Sequence, residues 1–510
     1  MAFLTRLGGR ALAELLPDLT AHPGPRYAAL AGAVTGLLLD GRVAPGTKLP
    51  SERELALSLG LSRATVTSAY DALRDGGLLT SRTGSGSVTT LPRQRLPTPG
   101  GPPAPAPPID PAPLGRGRVT RGGAERRFAQ FAVPGPSRSG GVLDLAVAAL
   151  PPPPELEEAA GRAVSRLGEH TRGGGYEPAG LPDLRAGIAD RFAARGVPTR
   201  SEQILITNGA QSGVDLILRL FTSPGDRVLT ELPTYSGLFD AVRASGARAA
   251  AVPMDPSGGW QMGPMLAALR RSAPILAMLI PDFHNPTGHL VPADRRREIV
   301  RAARRSGTTV VVDESFVDLG FVEPEVPMAA LDPGVITIGS LSKPVWGGLR
   351  VGWLRAPMDL IQRLTAVRAT VDMGQSILDQ LVALELLPDL DAIAVRRRAQ
   401  LLARRDLLLT ELGRRFPAWR PTRPEGGLCT WIELDAPLAT ALAVRAGQYG
   451  VRVVAGSRFG VDGTMERFLR LPYVLPEAEL VRAVELLSTA WLDLETAGSS
   501  GTGLSPLIVA

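Results

Sequence analysis

The 510-residue chain has a single cysteine, Cys429. That excludes an intrachain disulfide and any cysteine-rich metal cluster, and it suits a reducing cytosol. No apolar run reaches the ~18 residues of a membrane-spanning helix. The opening MAFLTRLGGRALAELLPDL lacks the apolar centre and small-residue cleavage site of a secretory signal. A soluble, cytoplasmic protein without a membrane segment or metal site is expected. Internal repeats are absent as well. Lysine is the scarce basic residue: of 56 lysines and arginines only Lys48 and Lys343 are lysine. Arginine keeps its proton in a protein, whereas a lysine amine can be deprotonated by its surroundings and attack a carbonyl. Lys343 is thus either a chemical amine or a surface charge left by chance, and its neighbours have to decide.

A chain of this length is expected to hold two or three domains, with ample residues for an α/β core. The net charge is +6, and residues 92–140 alone carry eight arginines against Asp110 and Glu125, a surplus of six. This stretch is dense in Pro, Gly and Arg and shows no helical or strand periodicity. It cannot bury enough apolar area to offset its ordering entropy, so it reads as a flexible Pro/Arg-rich linker, extended in its proline-rich half. Its arginines either add sequence-independent attraction to DNA phosphates or merely solvate a tether. The linker separates a compact unit at 15–91 from a large one at 141–495, and 496–510 is expected to be a disordered tail.

The small unit carries helix signals in close succession. RYAALAGAVTGLLL (26–39) is an apolar helix, ended by the Gly and Pro of DGRVAPGTKLP. Ser51 stands three residues before Glu54, the pattern of a capping box, and Ser62 caps a second helix that keeps Val66, Ala69 and Leu73 on one face and stops at Gly76-Gly77. Two short helices joined by a tight turn make a helix-turn-helix. LLTSRTGSGSVTTL then alternates around a Gly-Ser-Gly tip and reads as a β-hairpin wing. In this arrangement Ser62, Arg63 and Thr65 face base edges and phosphates from a helix N-terminus. The stretch GRVAPGTKLPSERELALSLGLSRATVTSAYDALRDGGLLTSRTGSGSV resembles the winged helix-turn-helix of GntR-type bacterial regulators. The resemblance implies double-stranded DNA as partner and puts Arg53, Ser62, Arg63, Thr65 and the wing residue Gly84 at DNA-contacting positions. Lys48, before LPSERE, suits either a phosphate contact or solvent.

In the large unit, strand-like runs (QILITNG, RVLTELP, RAAAVPM, PILAMLIPDF, TTVVVDESF, VITIGSLSK, VGWLRAP) alternate with helical segments. That order predicts a largely parallel α/β sheet with its ligands at the carboxyl ends of the strands. Polar groups follow five of these runs: Asn208 to Gln211, Thr234-Tyr235, Asn285, Asp313, and Ser340 to Lys343. Each suits one part of a phosphorylated aromatic aldehyde. The helix opened by Gly209 and Ala210 offers N–H groups to a phosphate, with Ser340 and Arg350 completing the cup. Tyr235 can stack on a ring, Asp313 can keep a pyridine nitrogen protonated, and Asn285 can donate to a ring oxygen. Lys343 supplies the amine for the aldehyde, which is how proteins hold pyridoxal 5'-phosphate.

YEPAGLPDLR, TNGAQSGVDLI, PTYSG, PDFHNPTG, VVVDESF, SLSKPVWGGLR, PEGGLCTWIEL and RFLRLPY, in this order, resemble the successive motifs of fold-type I, class I aminotransferases. The resemblance implies that Lys343 bonds the cofactor, Asp313 meets its pyridine nitrogen, Asn285 its ring hydroxyl, and Tyr235 stacks on it. It assigns the phosphate to Ala210, Gln211, Ser340 and Arg350, with Tyr176 reaching it from the second subunit of a homodimer, and gives Arg470 a substrate or effector carboxylate. One position departs from the pattern. Phe316 stands where these enzymes carry a tyrosine that also meets the ring oxygen, and His284 is a candidate substitute donor or a local hydrogen-bonding residue. The whole arrangement, a winged helix-turn-helix joined by the linker to an aminotransferase-like domain, resembles the MocR-type regulators. Three functions stay open: a regulator that senses the cofactor or an amino compound, an aminotransferase with an accessory DNA-binding module, and a domain that only dimerises.

Overall fold

The computed structural model describes residues 5–17, 19, 25–40, 42–82, 86–90, 141–255, 259–461 and 463–499. The linker 92–140 and Gly84 lie outside the described residues. In the small unit the helix Arg26–Leu39 buries Leu30, Val34, Leu37 and Leu38 against Val66, Ala69, Tyr70 and Leu73 of the helix Arg63–Asp75. Between them, Glu52–Leu59 starts at Ser51, whose Oγ accepts the Glu54 N–H at 3.2 Å, and stops at Gly60 in the left-handed conformation. The capping box is only half made. The Glu54 carboxylate turns away and accepts the Gly9 N–H at 2.8 Å.

That bond anchors a piece the sequence pattern did not reveal. Thr5–Arg6 pairs in parallel with Thr47–Lys48, and the helix Gly9–Leu15 packs on Glu52–Leu59 with Leu12 fully buried. The compact unit therefore begins about ten residues before position 15. A two-residue strand is too short to register as alternation. The wing strands Leu79–Arg82 and Gly86–Thr89 complete a four-stranded sheet.

The large unit is built on a seven-stranded sheet in the order Ile204–Thr207, Gly352–Arg355, Ile336–Ser340, Thr309–Asp313, Leu276–Leu279, Arg227–Leu232, Arg248–Pro253. All pairings are parallel except the two made by Gly352–Arg355. Alternate residues face opposite layers: Ile204, Ile206, Val310 and Val312 pack on one set of helices, Leu205 and Val311 on the other. A smaller layer follows, with strand order Arg420–Pro421, Cys429–Glu433, Phe468–Pro472, Val454–Ala455, covered by Leu390–Arg415, Ala439–Gln448 and Glu477–Ser499. Leu143–Asp144, at the start of the unit, pairs with Val451–Arg452 near its end. The last helix runs through Ser499, so residues 496–499 are helical where a disordered tail was expected, and 500–510 lie outside the described residues. Its apolar face (Leu480, Val484, Leu487, Trp491) carries the helix past the point where composition turns polar.

The two units touch. The Met465 N–H donates to the Leu39 carbonyl at 2.6 Å, Arg467 pairs with Asp40 at 3.4 Å, and Ala44 packs among Trp431, Phe459, Met465 and Phe468.

Candidate functional site

The five polar loops lie at the carboxyl ends of parallel strands. Because Gly352–Arg355 runs the other way, Arg350, two residues before it, reaches the same end. Gly209 has φ 77°, and a Cβ there would lie 2.9 Å from the Arg350 guanidinium, which donates to the Asn208 carbonyl at 2.8 Å. Only glycine fits this approach. One expectation needs correction. The Gly209 N–H is already given to the Thr207 carbonyl at 2.8 Å, so the N–H groups offered by the helix end begin at Ala210 and continue with Gln211. Ser340 is buried, accepts the Ser342 N–H at 3.1 Å and donates to the Val351 carbonyl at 3.2 Å. The buried Gln211 Oε1 has no hydrogen-bond partner.

Lys343 is half-buried and its Nζ donates to the Ala148 carbonyl at 3.0 Å. Burial, reinforced by the charge of Arg470, pulls its pKa down from 10.5 to about 8, against the pull of Asp313. The amine is therefore within reach of its neutral, nucleophilic form near physiological pH. Asp313 accepts the Ser315 N–H at 2.8 Å; burial pushes its carboxyl up, opposed by Ser315 and Lys343. Asp313 and Tyr235 line one cleft floored by Met278, Ile280, Val311 and Ile338. Asn285 is buried, with Cys429 Sγ 4.0 Å from its Oδ1.

Arg470 lies in the second sheet between Trp431 and Val454 and is buried. It donates to the Ala146 carbonyl, stands 4.8 Å from the Phe459 ring centre, and leaves a buried Nε without a partner. A buried guanidinium that depresses a neighbouring amine makes the space beside both favourable for an anion. Three partners at the site have no signal in the sequence pattern: the Ala146 carbonyl, the Ala148 carbonyl and Phe459, whose own carbonyl accepts the Thr234 N–H beside Tyr235 at 3.0 Å.

These residues fit pyridoxal 5'-phosphate. The turn closed to any Cβ, the helix-end N–H groups of Ala210 and Gln211 and the depressed lysine answer the phosphate and the aldehyde, and the group supplies an aldehyde carbon and an electron-withdrawing ring when bound. Phe316 is buried with the Lys343 amine 5.8 Å from its ring centre, so it brings packing and no donor. His284 bonds Thr287 Oγ1 at 2.8 Å and burial pushes its pKa down to about 3, so it stays neutral as a local partner. Tyr176 is 67% exposed on the loop before Pro182–Ala194.

In the small unit Arg53, Ser62 and Arg63 are exposed. Ser62 Oγ accepts the Thr65 N–H at 3.1 Å and lies 2.8 Å from its hydroxyl, fixing the start of the helix. Glu52 holds the neighbourhood together: it accepts from Thr67 Oγ1 at 2.9 Å and lies 3.9 Å from the Arg63 guanidinium. Among the described residues no group of His, Cys, Asp and Glu is arranged to hold a metal, and no helix is long and apolar enough to cross a membrane.

The model of the aminotransferase class I and II family matches residues 141–487, and that of the bacterial regulatory proteins, gntR family, matches residues 26–88. The chain is 34% identical over 338 residues to the 2-aminoadipate transaminase of Thermus thermophilus, covering 64% of this chain and 83% of that one. It is 29% identical over 470 residues to the HTH-type transcriptional regulator TauR of Rhodobacter capsulatus (86% and 91% covered). To the probable rhizopine catabolism regulatory protein MocR of Rhizobium meliloti it is 28% identical over 483 residues (91% and 93%). Among solved structures, the Thermus thermophilus α-aminoadipate aminotransferase LysN, complexed with N-(5'-phosphopyridoxyl)-L-leucine, matches with a TM-score of 0.65 at 32% identity, over 70% of this chain and 94% of that one.

Proposed function

Because the chain belongs to the class I and II aminotransferase family and carries a gntR-family helix-turn-helix, we propose that it is a pyridoxal 5'-phosphate-dependent transcriptional regulator of the MocR type. The observation that carries this reading is the pairing, in one chain, of an exposed, capped recognition helix with an aminotransferase-like site that keeps Lys343 beside Arg470. In this reading Lys343 takes the cofactor aldehyde, Asp313 the pyridine nitrogen, Asn285 the ring hydroxyl and Tyr235 the ring face. Ala210, Gln211, Ser340 and Arg350 hold the phosphate. Tyr176 completes the site of a partner subunit in a homodimer, and a cytoplasmic location follows from DNA as the target.

Arg470 holds the carboxylate of an amino compound, the effector. That compound shifts the protein between conformations only as far as it prefers one of them, and DNA affinity shifts with it. Arg53, Ser62, Arg63, Thr65 and Gly84 meet the operator. Phe316 favours sensing over turnover, because a missing donor at the ring oxygen commonly costs about 10²-fold or more in rate.

The test is to titrate the DNA flanking its own gene with the protein, with and without cofactor and a panel of amino acids. Amino-acid-dependent DNA binding supports the regulator. Rapid, stoichiometric formation of pyridoxamine phosphate with DNA binding unchanged would make the chain an aminotransferase instead. A monomer in sedimentation that still binds cofactor tightly removes the partner role of Tyr176.

A further inference from the structure

Both sides of the phosphate cup are fastened to a third segment that contributes nothing to the cup. The fully buried Arg368, last residue of the helix Met358–Arg368, donates through Nε to Asp372 Oδ1 at 2.6 Å and through Nη1 to the carbonyls of Pro178 and Ile206. The other oxygen of Asp372 accepts the Asn208 side-chain amide. Asn208 in turn precedes the Gly209 turn, and its carbonyl receives the Arg350 guanidinium at 2.8 Å. Three residues after Asp372, the Gln375 amide donates to the Arg350 carbonyl at 3.1 Å. One short segment, 368–375, thus grips the Asn208 turn at one end and Arg350 at the other.

The two gripped residues need holding. Arg350 sits at φ 55°, a left-handed conformation that a residue with a side chain adopts only at a cost, and Gly209, next to Asn208, sits at φ 77°. A cup assembled only when its ligand arrives would spend binding energy on ordering these turns; a cup held in advance does not. Charge argues against a direct role for Asp372. A carboxylate near a phosphate repels it, and here Arg368 neutralises that charge, which leaves the carboxylate free to act as a fixed acceptor.

We propose that Asp372, oriented by Arg368, is a positioning residue that presets Asn208, and with Gln375 presets Arg350, to receive a phosphate monoester. The proposal rests on the reading that this cup takes the phosphate of pyridoxal 5'-phosphate.

The experiment compares two ligands that share the ring and aldehyde and differ in the phosphate. Dissociation constants of pyridoxal 5'-phosphate and of pyridoxal are measured on the full-length apoprotein, for wild type, Asn208→Ala, Asp372→Asn and Gln375→Ala, with thermal melting of each apoprotein. Asn208→Ala leaves the Arg368–Asp372 pair intact and so keeps the test alive if Asp372→Asn fails to fold. The expected result is about tenfold weaker binding of the phosphorylated ligand in Asn208→Ala, with pyridoxal changed less than about twofold. Equal losses for both ligands, or no loss for either, would overturn the proposal and leave the segment as a brace of the fold. A wild type that binds the two ligands equally well would overturn it together with the cup, a failure recognisable without any variant.

Discussion

Arg467 of the large unit pairs with Asp40 of the small one at 3.4 Å, two residues from the Met465 N–H that donates to the Leu39 carbonyl. The strand that begins next, Phe468–Pro472, carries Arg470. Head and candidate effector site are therefore attached to the same short piece of chain. Arg467→Ala removes a partly exposed ion pair, expected to weaken docking by under about 1 kcal/mol. Hydrogen exchange at the Met465 amide should accelerate. Unchanged exchange would show that the docked state does not depend on this pair.

The pH dependence of cofactor attachment follows from Lys343. Its pKa lies at about 8 in the folded protein against an ordinary 10.5, so the native state holds fewer protons than the unfolded one between these values. Stability then rises with pH across that window, and the rate of condensation with an aldehyde should rise with a midpoint near pH 8. Lys343→Ala should abolish the yellow absorption of the loaded protein without lowering the melting temperature of the apoprotein. A protein that stays colourless with added pyridoxal phosphate contradicts the cofactor assignment.

Arg470→Ala has two effects to separate. It removes the grip on a carboxylate proposed for this side chain, so amino acids should no longer alter DNA binding. It also removes a positive neighbour of Lys343, so the attachment midpoint should move upward in pH. A midpoint that stays put would mean that burial alone depresses the amine.

On DNA, Arg63→Ala should cost roughly 1–3 kcal/mol at the native site if the residue reads a base, with little change on random sequence. Removing arginines of the segment 92–140 should weaken binding to all sequences alike and flatten the salt slope. Equal losses on both kinds of DNA from Arg63→Ala would reassign that residue to a phosphate.

Phe316→Tyr restores a hydroxyl near the ring oxygen. Formation of pyridoxamine phosphate from an amino acid should then speed up by about 10²-fold if the missing donor is what limits turnover. No gain would place the limit elsewhere in the site.

The sequence was most legible where one residue type solves a local problem. Ser51 and Ser62 announced two helix starts because a hydroxyl must meet an orphan N–H there, and both do. The strand runs showed as apolar blocks, and Lys343 stood out against 54 arginines. What escaped were partnerships made across long separations or by the main chain. Nothing near Glu54 says that its carboxylate will leave Ser51 for Gly9, 45 residues back. The carbonyls of Ala146 and Ala148 carry no side-chain signature, though they receive Arg470 and Lys343. The Gly209 N–H looked available until the turn bent it onto Thr207. Asp372 sat in a stretch without a motif and found Asn208 from 164 residues away.

The pairing of Leu143–Asp144 with Val451–Arg452 bears on how the chain is made. The segment carrying Ala146 and Ala148 leaves the ribosome early, yet its strand partner emerges some 300 residues later, with Asp144 and Arg452 separated by 308 positions. At about 5–20 residues per second, that gap lasts on the order of 15 to 60 seconds. The small N-terminal unit, whose contacts are mostly local, can fold during that interval, while the Ala146 and Ala148 carbonyls still lack the lysine and arginine that donate to them. A nascent chain therefore passes through a stage with a finished helix-turn-helix head and an unfinished candidate site, and translation that stops before residue 451 leaves that stage as the end product.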